Sequence, residues 1–283
     1  MGKGIFDGLE DLGLDLSADD IYRDPAAEEK AKKAAQEAAK IFKEEDFLFE
    51  KTYECPVCSQ QFKERTLRTG KARLLKTDMD LKPTFEGIEP LKYDVVQCTE
   101  CGYTALTRYF GPMTSVQRKN VIEKICSRYK KPESIPATLS YEDAISRYKL
   151  ALANAMIRVA KASEKAYICL RAGWLVRSYV EVLAADDFRD DERINDMKEL
   201  ENEFLKNAFD GFVAARQSES FPMCGMDETT LDYLVATLAI RFKNYDVASK
   251  LVASILYSTS ANARIKDKAR DLKDEIVRLK KEE

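Results

Sequence analysis

From Thr114 almost to the end of the chain, apolar residues recur at intervals of three and four, a spacing that returns to one face of an α-helix. Polar breaks at KKPESIP (130–136), AADDFRDD (184–191), SESFPMCGMDE (218–228) and STSANA (258–263) cut this half into helices of roughly 12 to 22 residues. Earlier, the pattern is different. Phe47–Tyr53, Leu67–Leu75 and Tyr93–Gln97 are short β-prone runs set off by Gly and Pro, so residues 47–112 read as a small β module. Residues 25–46 open on Pro25 with early glutamates and a thin stripe of Ala27, Ala31, Ala34, Ala38 and Ile41, which predicts an exposed helix. Residues 1–24 hold seven acidic and two basic side chains and four glycines, and are expected to be a disordered acidic tail.

Within the helical half a small residue is followed four positions later by a large or branched one, then three later by a small or apolar one. Ala144, Tyr148 and Ala151 show it, as do Ala208, Phe212 and Ala215, with a weaker copy at Ala248, Val252 and Ile255. Such a stripe lets a partner helix approach over alanine and lock against the larger side chain. Each set is expected on the second helix of a hairpin. The first helices are Val116–Tyr129 (Ile122, Ile125, Tyr129), Glu164–Leu183 (Trp174) and Thr229–Phe242 (Leu231, Leu234, Leu238, Phe242). SYEDAISRYKLAL (140–152) and KNYDVASKLVASIL (243–256) resemble the second helix of tetratricopeptide repeats, although Ala144, Ala208 and Ala248 stand 64 and 40 residues apart against a period of about 34. An irregular bundle is the alternative. Ile265, Ala269, Leu272, Ile276 and Leu279 form a final one-sided helix, read as a terminal cap. The fold class expected is α+β, predominantly α: a four-cysteine zinc-ribbon-like β module over 47–112, then a tetratricopeptide-like hairpin stack over 113–283.

Charge adds little at the level of the whole chain, since 46 basic residues against 49 acidic ones leave a net charge of −3 and no overall attraction to nucleic acid or anionic lipid. The most apolar run, YLVATLAI (233–240), is far short of a membrane span, and no basic-then-apolar leader opens the chain. A cytoplasmic protein with no membrane partner is expected. The chain contains no histidine, which removes Ser-His-Asp and Cys-His nucleophiles, HExxH hydrolysis and histidine-rich catalytic zinc sites. GKGIFDG near the start lacks the strand-turn-helix setting of a dinucleotide fingerprint. No phosphate-cradling loop and no paired acid and base stand out, and a non-catalytic role is expected.

Cysteine changes the picture. Four of the seven cysteines form two CxxC pairs, Cys55 with Cys58 and Cys98 with Cys101. Two CxxC turns supply four thiolates around one tetrahedral ion, and Gly102 after the last cysteine suits the left-handed reversal of such a turn. Zinc is the first choice, as a structural ion, because a closed four-thiolate shell leaves no vacancy; iron held in the rubredoxin manner is the alternative. Between the pairs, residues 62–76 carry Lys63, Arg65, Arg68, Lys71, Arg73 and Lys76 against one acid. These six are a candidate stripe for phosphates or a partner, but five acids and two bases over 77–97 bring the insert near neutrality, so nucleic acid is the weaker expectation.

Taken together, CPVC, the basic ribbon, TDMDLKPTFEGIEPLKYDVVQCTECGYTA and the helical half resemble a bacterial family catalogued as domain of unknown function 2225. The resemblance covers roughly residues 50 to 256 and is most specific from Asp78 to Ala105. Glu89 departs from it, since the family tends to have Asn before Pro90. The resemblance implies a zinc-ribbon or rubredoxin-like module joined to tetratricopeptide-like helices, and no established activity.

The remaining candidates read as structural. Cys126 and Cys169 fall near apolar helix faces and are expected to be buried; Cys224 in FPMCGMDE is the one remaining thiol that its loop could expose, but without a histidine to activate it a reactive role is the weaker reading. DDFRDDERIND lacks calcium-loop spacing and reads as a solvated loop. Trp174 and Tyr179 read as packing residues. The function expected is a cytoplasmic adaptor that offers its helical groove to a protein or peptide, with a thiolate redox protein and a nucleic-acid binder as alternatives.

Overall fold

The computed structural model describes residues 43–132, 136–186 and 190–282; the expected acidic tail and the expected helix as far as residue 42 lie outside the described residues. A 3₁₀ turn, Glu44–Phe47, leads into three antiparallel strand pairs: β1 (Leu48–Glu54) with β2 (Gln61–Leu67), β3 (Leu74–Thr77) with β4 (Pro83–Phe85), and β5 (Val95–Gln97) with β6 (Thr104–Leu106). Seven helices follow among the described residues: α1 (Ser115–Lys124), α2 (Tyr141–Ile157), α3 (Ala162–Ala185), α4 (Asp191–Ser218), α5 (Glu228–Arg241), α6 (Tyr245–Tyr257) and α7 (Ala263–Glu282). The fold is α+β and mainly α, as the hydrophobic pattern predicts.

The three stripes lie where their periodicity puts them. All nine residues of the Ala144, Ala208 and Ala248 sets are buried, and Ile265, Ala269, Leu272 and Ile276 bury one side of α7. α3 and α4 pack closely along their length. Glycine permits this: a Cβ on Gly173 would stand 2.7 Å from Leu205 of α4, and one on Gly211 would stand 2.8 Å from the Ala166 Cβ of α3. No helix among the described residues is long and apolar enough to cross a membrane.

Three expectations need correction. The run Leu67–Leu75 is not one strand: β2 ends at Leu67, Gly70 takes a positive φ in the turn that follows, and β3 begins at Leu74. α1 is not chiefly the partner of α2. It buries Val121 completely among the cysteines and aromatics of the β module, while Ile122, assigned to its inner face, is 44% exposed. A helix's periodicity identifies a face without saying what covers it. Finally, the acidic run after residue 186 is not loop throughout, since Asp190 caps α4 by accepting from the Arg193 N–H at 3.0 Å, and Asp191 onward is helix.

α2 fills the space between the β module and α3, and Leu91, Val95 and Leu106 of the module share one core with the helices. Polar contacts reinforce this junction. Arg177 grips Asp80 with two nitrogens at 2.6 and 3.1 Å and donates from Nε to Glu201 at 2.9 Å; the Trp174 indole N–H reaches Asp80 at 3.1 Å. Arg171 holds Asp94 at 2.9 Å, and Arg147 of α2 holds the buried Glu64 of β2 at 3.0 Å. Trp174 is therefore a donor to a buried acid as well as a packing residue. Tyr179 stacks on Tyr141 with ring centres 5.0 Å apart.

Removing one partner from a buried ion pair leaves the other charge without compensation, at a cost of about 3–5 kcal/mol. Arg177→Ala is expected to lose roughly that much, because the buried Asp80 would be left without a cation, whereas Glu201 keeps Arg241 at 3.0 Å; denaturant unfolding of the variant beside wild type measures it.

Candidate metal centre

Each CxxC pair sits at the tip of a β-hairpin. In the first, the register pairs Tyr53 with Phe62 and Glu54 with Gln61, so residues 55–60 form the tip; in the second, Gln97 pairs with Thr104 and residues 98–103 form it. The tips fold alike. Cys55 N–H donates to the Gln60 carbonyl at 3.0 Å and accepts, through its own carbonyl, the Ser59 N–H at 2.9 Å; Cys98 does the same with Tyr103 at 2.8 Å and Gly102 at 2.9 Å. The residue four beyond the first cysteine is left-handed in both, at φ 60° for Ser59 and 76° for Gly102. Glycine is required in the second tip for a further reason: a Cβ there would stand 2.3 Å from the ring of Tyr129.

The hairpins bring four sulfurs together, all within 4.8 Å of one another, with Cys55 Sγ 3.6 Å from Cys101 Sγ and Cys58 Sγ 3.7 Å from Cys98 Sγ. A tetrahedral ion with bonds of about 2.3 Å to sulfur places its ligands about 3.8 Å apart, so the donor set and spacing fit one such ion. Cys55 and Cys98 are buried and the other two partly so. The Val57 N–H points at Cys55 Sγ from 3.4 Å. Tyr53 stacks on Phe62 beside the cluster, and Phe110 meets both edge to face and Tyr103 at a tilt, with ring centres 5.2 to 6.0 Å apart. The aromatics flanking CPVC thus belong to a small core that surrounds the sulfurs.

As free thiols Cys55, Cys98 and Cys101 divide their protons unevenly. Hydrogen bonds from Cys101 and Cys55 hold the Cys98 thiol far down, at about 2. For Cys55 the bond with Cys101 acts downward, but the bond with Cys98 and burial outweigh it and leave the thiol at about 12. Cys101 is raised by its bonds to Cys55 and Cys98 and by burial. A divalent ion that binds all four as thiolates must displace the protons of the raised pair.

Beyond the ligands, Arg118 of α1 donates to the Val57 carbonyl at 2.6 Å and lies 3.4 Å from the Ser59 hydroxyl, clamping the first tip. Nothing in the sequence singled out Arg118. Cys126 lies in a 3₁₀ turn after α1, half-buried against the four-cysteine cluster rather than on a helix of the stack. Cys169 is buried as expected, and burial pushes its thiol up to about 12. Cys224 is half-buried, donates to the Ser163 carbonyl at 3.2 Å and is also raised by burial, which leaves it a poor nucleophile at neutral pH.

The six basic residues of the ribbon do not gather at the sulfurs. Lys63 and Arg65 lie 3.3 and 3.8 Å from Glu50 across the β1–β2 pair, Arg73 is 3.9 Å from Glu86, and Lys76 is 3.6 Å from Asp78. Arg68 donates to the Leu48 carbonyl and Lys71 to the Asp46 carbonyl, both at 2.9 Å. Each of the six therefore has an oxygen partner within the module.

Two outcomes follow from this geometry. Gly102→Ala is expected to weaken metal retention and to cost about 1–3 kcal/mol through its left-handed φ and the clash with Tyr129, whereas Ser59→Gly should leave both unchanged or improved; competition with a chromophoric chelator and thermal melts distinguish them. Metal binding to the ion-free protein is expected to release protons, and affinity should fall as pH is lowered, since the thiols with raised pKa values are protonated without the ion and their protons compete with it. Indicator-dye titration and zinc competition at stepped pH read both effects.

Comparison with known proteins finds no match among curated proteins and none among solved structures. A family model described as "Uncharacterized protein conserved in bacteria (DUF2225)" matches residues 48–276, which takes in both CxxC tips, the acids gripped by α3 and all seven helices but the end of the last. The chain belongs to that bacterial family.

Proposed function

We propose that this protein is a non-catalytic zinc-binding adaptor of the cytoplasm, with the ion in a structural role and the helical half offering a docking surface to a protein or peptide. The observation that carries the reading is the closed set of four thiols, each one contributed by a hairpin tip and two of them buried, which supplies a full tetrahedral shell without a site for a reactant. All seven cysteines are free thiols, in keeping with a reducing compartment. At the far end of the stack, α6 and α7 leave a groove of about 690 Å³ lined by Val252, Leu256 and Ile276, with Tyr257 and Val277 exposed at its rim. An apolar floor edged by Arg270, Lys273 and Asp274 suits the apolar face of a partner helix with charged flanks.

Metal analysis of the purified chain tests the first part: one zinc per chain is expected in wild type and none in Cys55→Ser or Cys98→Ser, with loss of protease resistance in the β module. A folded wild type without metal overturns it. For the second part, partner capture with wild type and with Tyr257→Asp should recover one specific protein only with wild type.

A second reading has one observation in its favour. Cys126 packs against the cluster, so a fifth sulfur stands beside the ligands, an arrangement suited to a thiolate redox switch or an iron centre. A colourless, iron-free protein that keeps its zinc under peroxide removes this reading.

A further inference from the structure

Between the β3–β4 hairpin and α3 lies a second cleft, of about 450 Å³, with no cysteine in its lining. Its lining contains two groups, Lys82 and Thr84, whose side chains make no hydrogen bond among the described residues. Lys82 is 1% exposed, and its ammonium makes no hydrogen bond among the described residues; the one carboxylate in range is Glu181, at 4.0 Å, too far for a hydrogen bond. The Thr84 hydroxyl is buried and likewise unpartnered. Lys82 and Thr84 are two apart on an extended segment, so both leave the same face of the chain and line the same cleft. Buried donors without acceptors are uncommon in native folds, and a lysine at this depth is rarer still.

The other charged groups of the cleft are already engaged. Lys92 and the Tyr93 hydroxyl hold Glu44, at 2.7 and 2.8 Å. Glu89 caps the turn Pro90–Tyr93 by accepting from the Leu91 N–H at 3.1 Å and also accepts from the Ser178 hydroxyl. Lys82 and Glu181 remain, a loose ion pair at 4.0 Å with no hydrogen bond between them. A phosphate would meet three carboxylates here, so a multiply charged anion is disfavoured. The complement of such a dipolar pair is a zwitterion.

We infer that this cleft binds a small zwitterion of the α-amino acid class, its carboxylate on Lys82 and Thr84 and its ammonium on Glu181. Phe85, Ile88, Tyr141 and Val182 supply an apolar wall, which selects an apolar side chain. The cleft volume falls within the range of small-molecule sites. The site is separate from the metal centre and from the α6–α7 groove, and stands or falls without the adaptor reading.

Calorimetric titration of the full-length, metal-loaded chain with leucine, isoleucine and phenylalanine tests it, beside leucinamide (no carboxylate), 4-methylpentanoate (no amine) and inorganic phosphate. Saturable binding of at least one of the amino acids is expected, with about tenfold or greater loss for either truncated analogue, the equivalent of one charge-assisted contact. Lys82→Met should weaken the amino acid by a similar factor. Glu181 is half-exposed, so Glu181→Gln tests the site even if Lys82→Met fails to fold, and it should abolish the preference for leucine over 4-methylpentanoate. Absence of saturable amino-acid binding, tighter binding of phosphate, or unchanged selectivity in Glu181→Gln overturns the inference.

Discussion

Carboxylates drawn out of water must meet a cation, and in this protein that requirement joins two otherwise different halves. Asp80 and Asp94 come from loops of the β module and Glu64 from β2; their partners Arg177, Arg171 and Arg147 come from α3 and α2. Arg171, Trp174, Arg177 and Ser178 recur at helical spacing, so one face of α3 reads the loops of the module much as a groove reads a ligand. Burial raises the Asp94 carboxyl while Arg171 opposes the shift, the balance expected where a charge is retained at depth only because its partner is fixed. Leu91, Val95 and Leu106 then complete an apolar core that neither half closes alone.

The metal centre depends on this frame from the other side. Its two hairpin tips are held by α1 and the 3₁₀ turn that follows it, through Arg118 of α1 on the first and through the ring of Tyr129, just past the turn, packed on Gly102 of the second. α1 is thereby the lid of the sulfur cluster and a bridge to the stack, since its Gln117 also donates to the Arg158 carbonyl at the end of α2. Four of the six basic side chains between the tips pair with carboxylates and the other two with backbone carbonyls, so the ribbon's cations are engaged within the module.

Much of this was legible in the sequence, and the reasons differ by element. The four cysteines declare themselves because a CxxC turn is a local motif and the second copy states the stoichiometry. The alanine stripes are legible because periodicity is a property of one helix. What could not be read is partnership over distance. Asp80 and Arg177 are 97 residues apart, and an acid in TDMD looks the same whether it is solvated or gripped by a guanidinium. For the same reason Val121 gave no sign that it faces sulfur rather than a neighbouring helix, and Ser59 gave none that it turns left-handed, since only glycine advertises that conformation. Lys82 carried no signal at all; a lysine is assumed to be wet until a structure shows otherwise.

The placement of the two cysteine pairs has a last consequence. An ion bound by both tips ties residue 58 to residue 98 and so closes a loop of 39 residues. By the chain-entropy estimate used for covalent cross-links, a closure of this length denies the unfolded chain about 4 kcal/mol of freedom. Such an ion would work as a reversible rivet, and the segment it would fasten is the one that carries β2, the β3–β4 hairpin and the acids that α3 grips.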